Sequence, residues 1–266
     1  MPPWPSTSRG VASVTSSAKS LIWSPWLTRQ FSKGTSFQVN YTWAHAMDDA
    51  SDAFEPQQDQ TVFPPNSNEL KREKGNSSFD VRNRVVFTYV AELPLGRGKD
   101  HLNSGFVGRA LEGWTWSAIG TLQSGFPFEV FAAGIDSDAT GATQRASFSS
   151  TPTVVPVQFA RTQTGPNVGL FTFPLFGGPG DVRRNTYYGP AYENFDMVFA
   201  KNTKITERFI LEFRSEYYNV FNHANFRQPD NFINDGAFFG QSSAEVGRND
   251  GTTGARQLQF GMKLHF

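Results

Sequence analysis

The sequence predicts an all-β protein, an antiparallel up-and-down transmembrane β-barrel segment of about six strands, forming an open curved sheet with long extracellular loops. Three observations lead there. The last eleven residues, RQLQFGMKLHF, alternate strictly: Leu258, Phe260, Met262, Leu264 and Phe266 are apolar, and Gln257, Gln259, Gly261, Lys263 and His265 are not. Successive strand side chains point to opposite faces, so this segment has one wholly apolar face, and it is close to the length a tilted strand needs to cross a bilayer. Next, the connections between strand-like segments alternate between short and long. Lastly, the composition is polar without being charged: mean hydropathy is −0.43 with only 18% charged residues, while aromatics reach 15%. A wet lumen inside an apolar, aromatic outer surface uses such a mixture.

The composition also excludes function classes. Net charge is zero, with 24 basic and 24 acidic residues, so nothing favours nucleic-acid binding, which needs a basic surplus. Cysteine is absent, which removes disulfide scaffolds, thiolate metal sites and a Cys nucleophile. No apolar run has the length of a membrane helix, and Met1 to Ser24 lacks the continuous apolar core of a signal peptide. The stretch from Met1 to about Trp26 is low-complexity and shows no period of two, so residues 1–26 are expected to be disordered and 27–266 to form the barrel portion.

The strands follow in order. In the first, Phe37, Val39, Tyr41 and Trp43 alternate with Gln38, Asn40 and Thr42. The second carries Val85, Phe87, Tyr89, Ala91 and Leu93 on one face and Arg82, Arg84, Thr88 and Glu92 on the other. The third is expected to run from Gly113 to about Val130, with Trp114, Trp116, Ala118, Gly120, Leu122, Phe126 and Phe128 in its apolar row. The fourth has Phe195, Met197 and Phe199. The fifth has Phe209, Leu211, Phe213 and Tyr217 against Glu212, Arg214 and Glu216, which become lumen-lining candidates. The terminal strand is the sixth.

Parity constrains the hairpin between the fourth and fifth strands. Directly opposed residues of an antiparallel pair share a face, so odd-numbered Phe199 and Phe213 demand odd opposite odd and a connection with an odd number of residues. Three residues, with Phe199 opposite Phe213, is the simplest solution; five is the next.

The loops set the orientation. Asp48–Asp80, Phe131–Glu193 and Phe221–Ala255 are long, and the intervening connections are short. Outer-membrane barrels keep short turns in the periplasm and long loops outside. The C-terminus then lies on the periplasmic side.

Five segments, LTRQFSKGTSFQVNYTWAHAMDD from Leu27, FDVRNRVVFTYVAELPLGRGK from Phe79, LEGWTWSAIGTLQSGFPF from Leu111, NFDMVFAKNTKITERFILEFRSEYYNVFNHANF from Asn194 and the terminal strand, together resemble the C-terminal third of TonB-dependent outer-membrane receptors. The Oar-like branch is the nearest likeness. The resemblance implies a barrel of roughly 22 strands with an N-terminal plug, importing large or scarce nutrients with energy passed through TonB. Neither plug nor TonB box occurs in this sequence, so the expectation is a C-terminal barrel portion, a fragment or mispredicted reading frame, that does not transport alone. The expected partners are outer-membrane lipid and the barrel-assembly machinery, with TonB reached only through parts outside this sequence. The assembly signal would be the terminal row of Leu258, Phe260, Met262, Leu264 and Phe266.

No enzyme chemistry emerges. The four histidines, His45, His101, His223 and His265, form no metal-binding pair, and there is no nucleophile elbow or phosphate loop. Neither a cofactor nor a metal is expected. Asp48, Asp49 and Asp52 form an acidic cluster, and Asp136, Asp138 and Gly141 imitate half a calcium loop whose twelfth position is Ser147 rather than Glu. The loop aromatics Phe171, Phe173, Phe176, Tyr187, Tyr188 and Tyr192 are expected to pack a small loop core rather than stack on carbohydrate. The competing architecture is a secreted or surface β-sandwich that binds glycans through its aromatics; it would show two face-packed sheets.

Overall fold

The computed structural model describes residues 19–31, 34–49, 51, 70–99, 101–102, 104–132, 144–148, 171–175, 180–247 and 254–266. A single antiparallel sheet dominates. It comprises β1 (Lys19–Trp23), β2 (Trp26–Phe31), β3 (Thr35–Asp48), β4 (Gly75–Asn76), β5 (Asn83–Glu92), β6 (Trp114–Gln123), β13 (Tyr192–Lys204), β14 (Ile210–Tyr218) and β15 (Gln257–His265). Among the described residues, six two-residue strands lie between β6 and β13, β7 (Pro127–Phe128), β8 (Phe131–Ala132), β9 (Gln144–Arg145), β10 (Ser147–Phe148), β11 (Phe171–Thr172) and β12 (Tyr187–Tyr188), and an α-helix, α1 (Gly105–Leu111), lies between β5 and β6. The long strands follow one another in the order β1-β3-β5-β6-β13-β14-β15, the up-and-down arrangement expected. The sheet is open, with β15 at one edge and β1 and β2 at the other. No second sheet covers its apolar face among the described residues, so the sandwich architecture does not form.

The strand count and the first edge need correction. Lys19 to Trp26 was expected to be irregular, yet β1 and β2 both pair with β3. Trp23 opposes Trp43 and Trp26 opposes Asn40, so the register is unbroken across Ser24 and Pro25. The two are one lane interrupted where proline lacks an N–H, and an edge strand tolerates this. Pro25 still accepts a hydrogen bond from the Tyr41 amide at 3.1 Å. Alternation is hidden here because Ile22 and Trp26 are apolar on the face that is polar elsewhere. The rest of the expected disorder, residues 1–18, lies outside the described residues.

The third strand is also shorter than expected. It stops at Gln123, and Phe126 and Phe128 leave the sheet; β7 pairs with β12 instead, and Phe128 is fully buried among the loops.

The hairpin between β13 and β14 obeys the parity rule. Met197 opposes Tyr217 and Lys201 opposes Phe213, so odd faces odd through a five-residue connection, 205–209. Phe199 lies opposite Ser215 rather than Phe213, two residues from the simplest register.

Register places every apolar row on one face. Tyr41 opposes Val85, Val85 opposes Leu122, Phe199 opposes Trp116, Met197 opposes Tyr217, and Phe213 opposes Met262. Ring contacts knit this face across strands: Tyr89 to Trp116 at 4.9 Å, Trp116 stacked on Phe199 at 6.3 Å, and Phe213 stacked on Phe260 at 6.4 Å. Cross-strand aromatic pairs of this kind stabilise a sheet by a few tenths to about 1 kcal/mol each.

All short connections, with the C-terminus, lie at one end of the sheet, and the three long loops, 49–82, 124–191 and 219–256, lie at the other. The long loops fold together. Phe128, Val130, Ala132, Ala146, Phe171, Val182, Tyr187, Ile233 and Phe239 form a hydrophobic core contributed by the second and third loops. Burying each such phenylalanine is worth roughly 1.5–3 kcal/mol, so the described parts of the loops form a structured cap.

Candidate functional site: belt, wall and cap

The apolar face is the belt. Leu258, Phe260, Met262, Leu264 and Phe266 are all exposed, Phe266 at 94%, and they extend the rows of Leu211, Phe213 and Tyr217. A contiguous apolar surface of this size is not left to water by soluble proteins. No helix among the described residues is long and apolar enough to cross a membrane.

The opposite face is the wall. It is largely polar: Gln38, Asn40, Thr42, Arg84, Thr88, Thr115, Ser117, Thr121, Asn194, Asp196 and Asn202 lie on it by register. Glu212, Arg214 and Glu216 are there too. Arg214 bonds Glu216 at 3.0 Å and approaches Glu212 at 3.8 Å, its own-strand partners as expected, while Ala200 sits opposite it. His265, expected on this face, hydrogen-bonds Glu212 at 3.1 Å. These groups are half-exposed or exposed, and each pair contributes at most about 1 kcal/mol.

The cap holds what sequence reading missed. Arg145 and Arg184 are both buried and converge on Glu129 at 3.1 and 3.4 Å. Arg145 also pairs with Glu73, and Arg184 with Asp48 and with the Ser51 hydroxyl at 2.6 Å. Glu73 and Asp48 come from the first loop and its strand, Glu129, Arg145 and Arg184 from the second. The Asn231 amide of the third loop donates to the Glu129 carbonyl at 2.7 Å. The arginines tie the second loop to the first, and the Glu129 backbone ties it to the third. Buried charges persist only when paired, and no local pattern announces such pairs, because they join residues up to 136 positions apart.

Asp48 pairs with Arg184. Asp52, Asp136, Asp138 and Gly141 lie outside the described residues; among those described, no group of three acidic or histidine side chains could hold a metal. The loop-core reading fits Phe171 and Tyr187, while Tyr188 is exposed and Tyr192 lies in β13, where it lines a cavity. Phe171 and Tyr187 are core residues 5.7 Å apart, and the Tyr188 hydroxyl accepts from Arg82 and Asn76 at 3.0 and 3.1 Å. Phe173 is exposed, and Phe176 lies outside the described residues. Burial raises the pKa of both Tyr187 and Tyr188 above the ordinary phenol value, although Arg82 counteracts this at Tyr188.

Where the wall meets the third loop there is a cavity of about 800 Å³, lined by Arg84, Thr121, Asn194 and Asp196 from the strands and by Asn225 and Gln228 from the loop. Asn219 holds the loop in place. With φ +48° it turns the chain out of β14; its amide N–H donates to Asp196 at 2.8 Å, and its side chain donates to the carbonyls of His223 and Gly254. Asn225 imitates a strand neighbour, exchanging two hydrogen bonds with the Glu193 backbone at 2.8 and 2.9 Å. Asparagine tolerates left-handed backbone, which suits Asn219 to this turn. The cavity offers hydrogen-bond donors and acceptors.

An open antiparallel sheet, apolar on one face, polar on the other and capped by loops at one end, is the wall of an outer-membrane β-barrel. A protein-family model for the outer membrane beta barrel domain matches residues 25–259, and the chain belongs to that family. Its place is the cell outer membrane. No match was found among curated proteins or among solved structures.

Proposed function

We propose that this chain forms the C-terminal portion of the barrel of a TonB-dependent receptor for nutrient uptake, of the Oar-like kind, and that it does not transport alone. The observation that carries this reading is the cavity where the polar wall meets the third loop, at the end of the sheet where buried ion pairs join the loops. A passive pore needs an open mouth; a receptor needs ordered loops that hold a solute at the entrance to the lumen. The five sequence segments that resemble such receptors fall on β2–β3, β5, β6, β13–β14 and β15, which supports the same reading. Its partners are outer-membrane lipid on the belt and the barrel-assembly machinery at β15, with TonB reached through polypeptide outside this sequence. An exposed edge strand with a regular apolar row is a fitting template for strand addition by that machinery.

A chimera tests the proposal. This segment replaces the corresponding terminal strands and loops of a TonB-dependent receptor, and uptake is measured with and without TonB. Folded chimera with TonB-dependent uptake of some solute supports the reading; a chimera that inserts, yet leaks solutes equally in both strains, contradicts it.

A further inference from the structure

The helix α1 is turned the wrong way for a water-facing turn. Its one buried residue is Gly108, whose carbonyl accepts from the Arg97 amide at 3.3 Å. Phe106 is 86% exposed and Val107 is exposed as well. At 100° per residue, Phe106, Val107 and Ala110 share the side opposite Gly108. Leu102, just before the helix, adds another exposed apolar side chain. The helix thus shows its apolar side to the surroundings and a glycine to the protein.

Its position says what those surroundings are. Lys201 belongs by register to the belt face, between Trp114 and Phe213. Its ammonium donates to the carbonyls of Ala110 and Arg109 and lies 5.6 Å from the Trp114 ring centroid. The Trp114 indole N–H also donates to the Ala110 carbonyl, at 3.1 Å. The last turn of α1 is therefore pinned to the lipid side of the sheet at its short-connection end. The apolar side of α1 continues the belt, and the cationic Arg97 and Arg109 are exposed beside it. Apolar side chains flanked by cations suit the boundary between phospholipid headgroups and acyl chains.

We propose that α1 is an interfacial anchor, seated with Phe106, Val107 and Leu102 in the phospholipid of the periplasmic leaflet. It fixes the vertical position of the β5–β6 hairpin in the bilayer. The proposal rests on the belt being lipid-facing.

Absence of cysteine permits a clean test on the full chain. Phe106→Cys, Val107→Cys and, as a belt reference, Phe87→Cys are each labelled with an environment-sensitive fluorophore and reconstituted in vesicles of phosphatidylethanolamine and phosphatidylglycerol. Quenching by spin-labelled phospholipids is compared with quenching by aqueous iodide. The expected result is deep lipid quenching at position 87, and at positions 106 and 107 strong quenching by headgroup-proximal spin labels with at least about threefold less iodide quenching than in detergent-free buffer. Lipid quenching at 87 with iodide-accessible 106 and 107 overturns the anchor alone. Loss of lipid quenching at 87 overturns the belt assignment and the anchor with it. Protection of 106 from both quenchers means that protein covers the helix, which also overturns the proposal.

Discussion

Phe87 and Phe195 touch across a strand that separates them. Their ring centroids are 5.5 Å apart although β6 lies between β5 and β13, and Gly120 of β6 is the residue directly opposite both. A Cβ at Gly120 would stand 2.2 Å from the Phe87 ring and 3.0 Å from that of Phe195. The glycine is a notch that lets two aromatic rows merge, and the rings cover the backbone that the notch exposes.

Gly120→Val should consequently destabilise the sheet by about 1–3 kcal/mol, since both rings must swing away toward lipid. Denaturant unfolding of the membrane-inserted chain measures this. Gly261 has open space at the same test, so Gly261→Ala should be close to neutral or better. Equal effects of the two substitutions would contradict the notch.

The cap should come apart at one side chain. Glu129→Gln weakens the hydrogen bonds of Arg145 and Arg184, which keep Glu73 and Asp48 as partners, at a cost on the order of 1–3 kcal/mol. The loss should be local. Limited proteolysis should open the second loop, which supplies Glu129, Arg145 and Arg184, while the sheet stays resistant. By contrast Arg214→Ala, which removes an exposed wall pair, should change stability by less than about 1 kcal/mol. A cap that resists protease as the wild type does would contradict the tie described.

Asp230 makes the third loop sensitive to pH. Burial raises its carboxyl from 3.8 to about 6; the Phe232 amide, bonded at 3.0 Å, pulls the other way, and nearby Asp235 adds to the rise. A carboxyl whose folded value lies above its unfolded value favours the folded loop while both are protonated, and this contribution is lost as pH rises through about 6. Amide exchange in residues 230–241, corrected for intrinsic rates, should therefore quicken between pH 5 and pH 7 (about those values) in the wild type and lose that dependence in Asp230→Asn. An unchanged pH dependence in the variant would contradict the assignment.

The terminal residue bears on the proposed assembly signal. Deleting Phe266 from a receptor that ends in this strand should lower insertion several-fold, on the order of 1 kcal/mol or more of register preference, and increase periplasmic degradation. Normal insertion of the deleted form would contradict the role.

What could be read from the chain follows from the range of the forces involved. The belt was legible because period-two alternation is a local property: Val85 to Ala91, Trp114 to Leu122 and Leu258 to Phe266 carry their faces in their own spacing. Parity carried that further and settled which residues of β13 and β14 share a face, but it leaves the loop length open, so Phe199 came to oppose Ser215. The edge lane of β1 and β2 escaped notice because Pro25 and the apolar Ile22 and Trp26 obscure an odd-numbered row of Leu21, Trp23 and Leu27. Phe128 continued an apparent strand row in sequence, yet its burial depends on Phe171, Tyr187 and Phe239, which only the folded loops bring near. The Glu129 network was not legible at all, since its partners lie in separate loops.

The central claim is that one face of this sheet meets lipid and the other meets water, with the parity of the apolar row switching between β14 and β15. Single cysteines at positions 211 through 214 and 260 through 263, in chain inserted into outer membrane, can be reacted with a membrane-impermeant maleimide. The account predicts that Glu212→Cys, Arg214→Cys, Gly261→Cys and Lys263→Cys react, at least about tenfold faster than Leu211→Cys, Phe213→Cys, Phe260→Cys and Met262→Cys. Even positions react in one strand and odd positions in the next. Uniform reactivity along either strand, or reaction at the same parity in both, would contradict it.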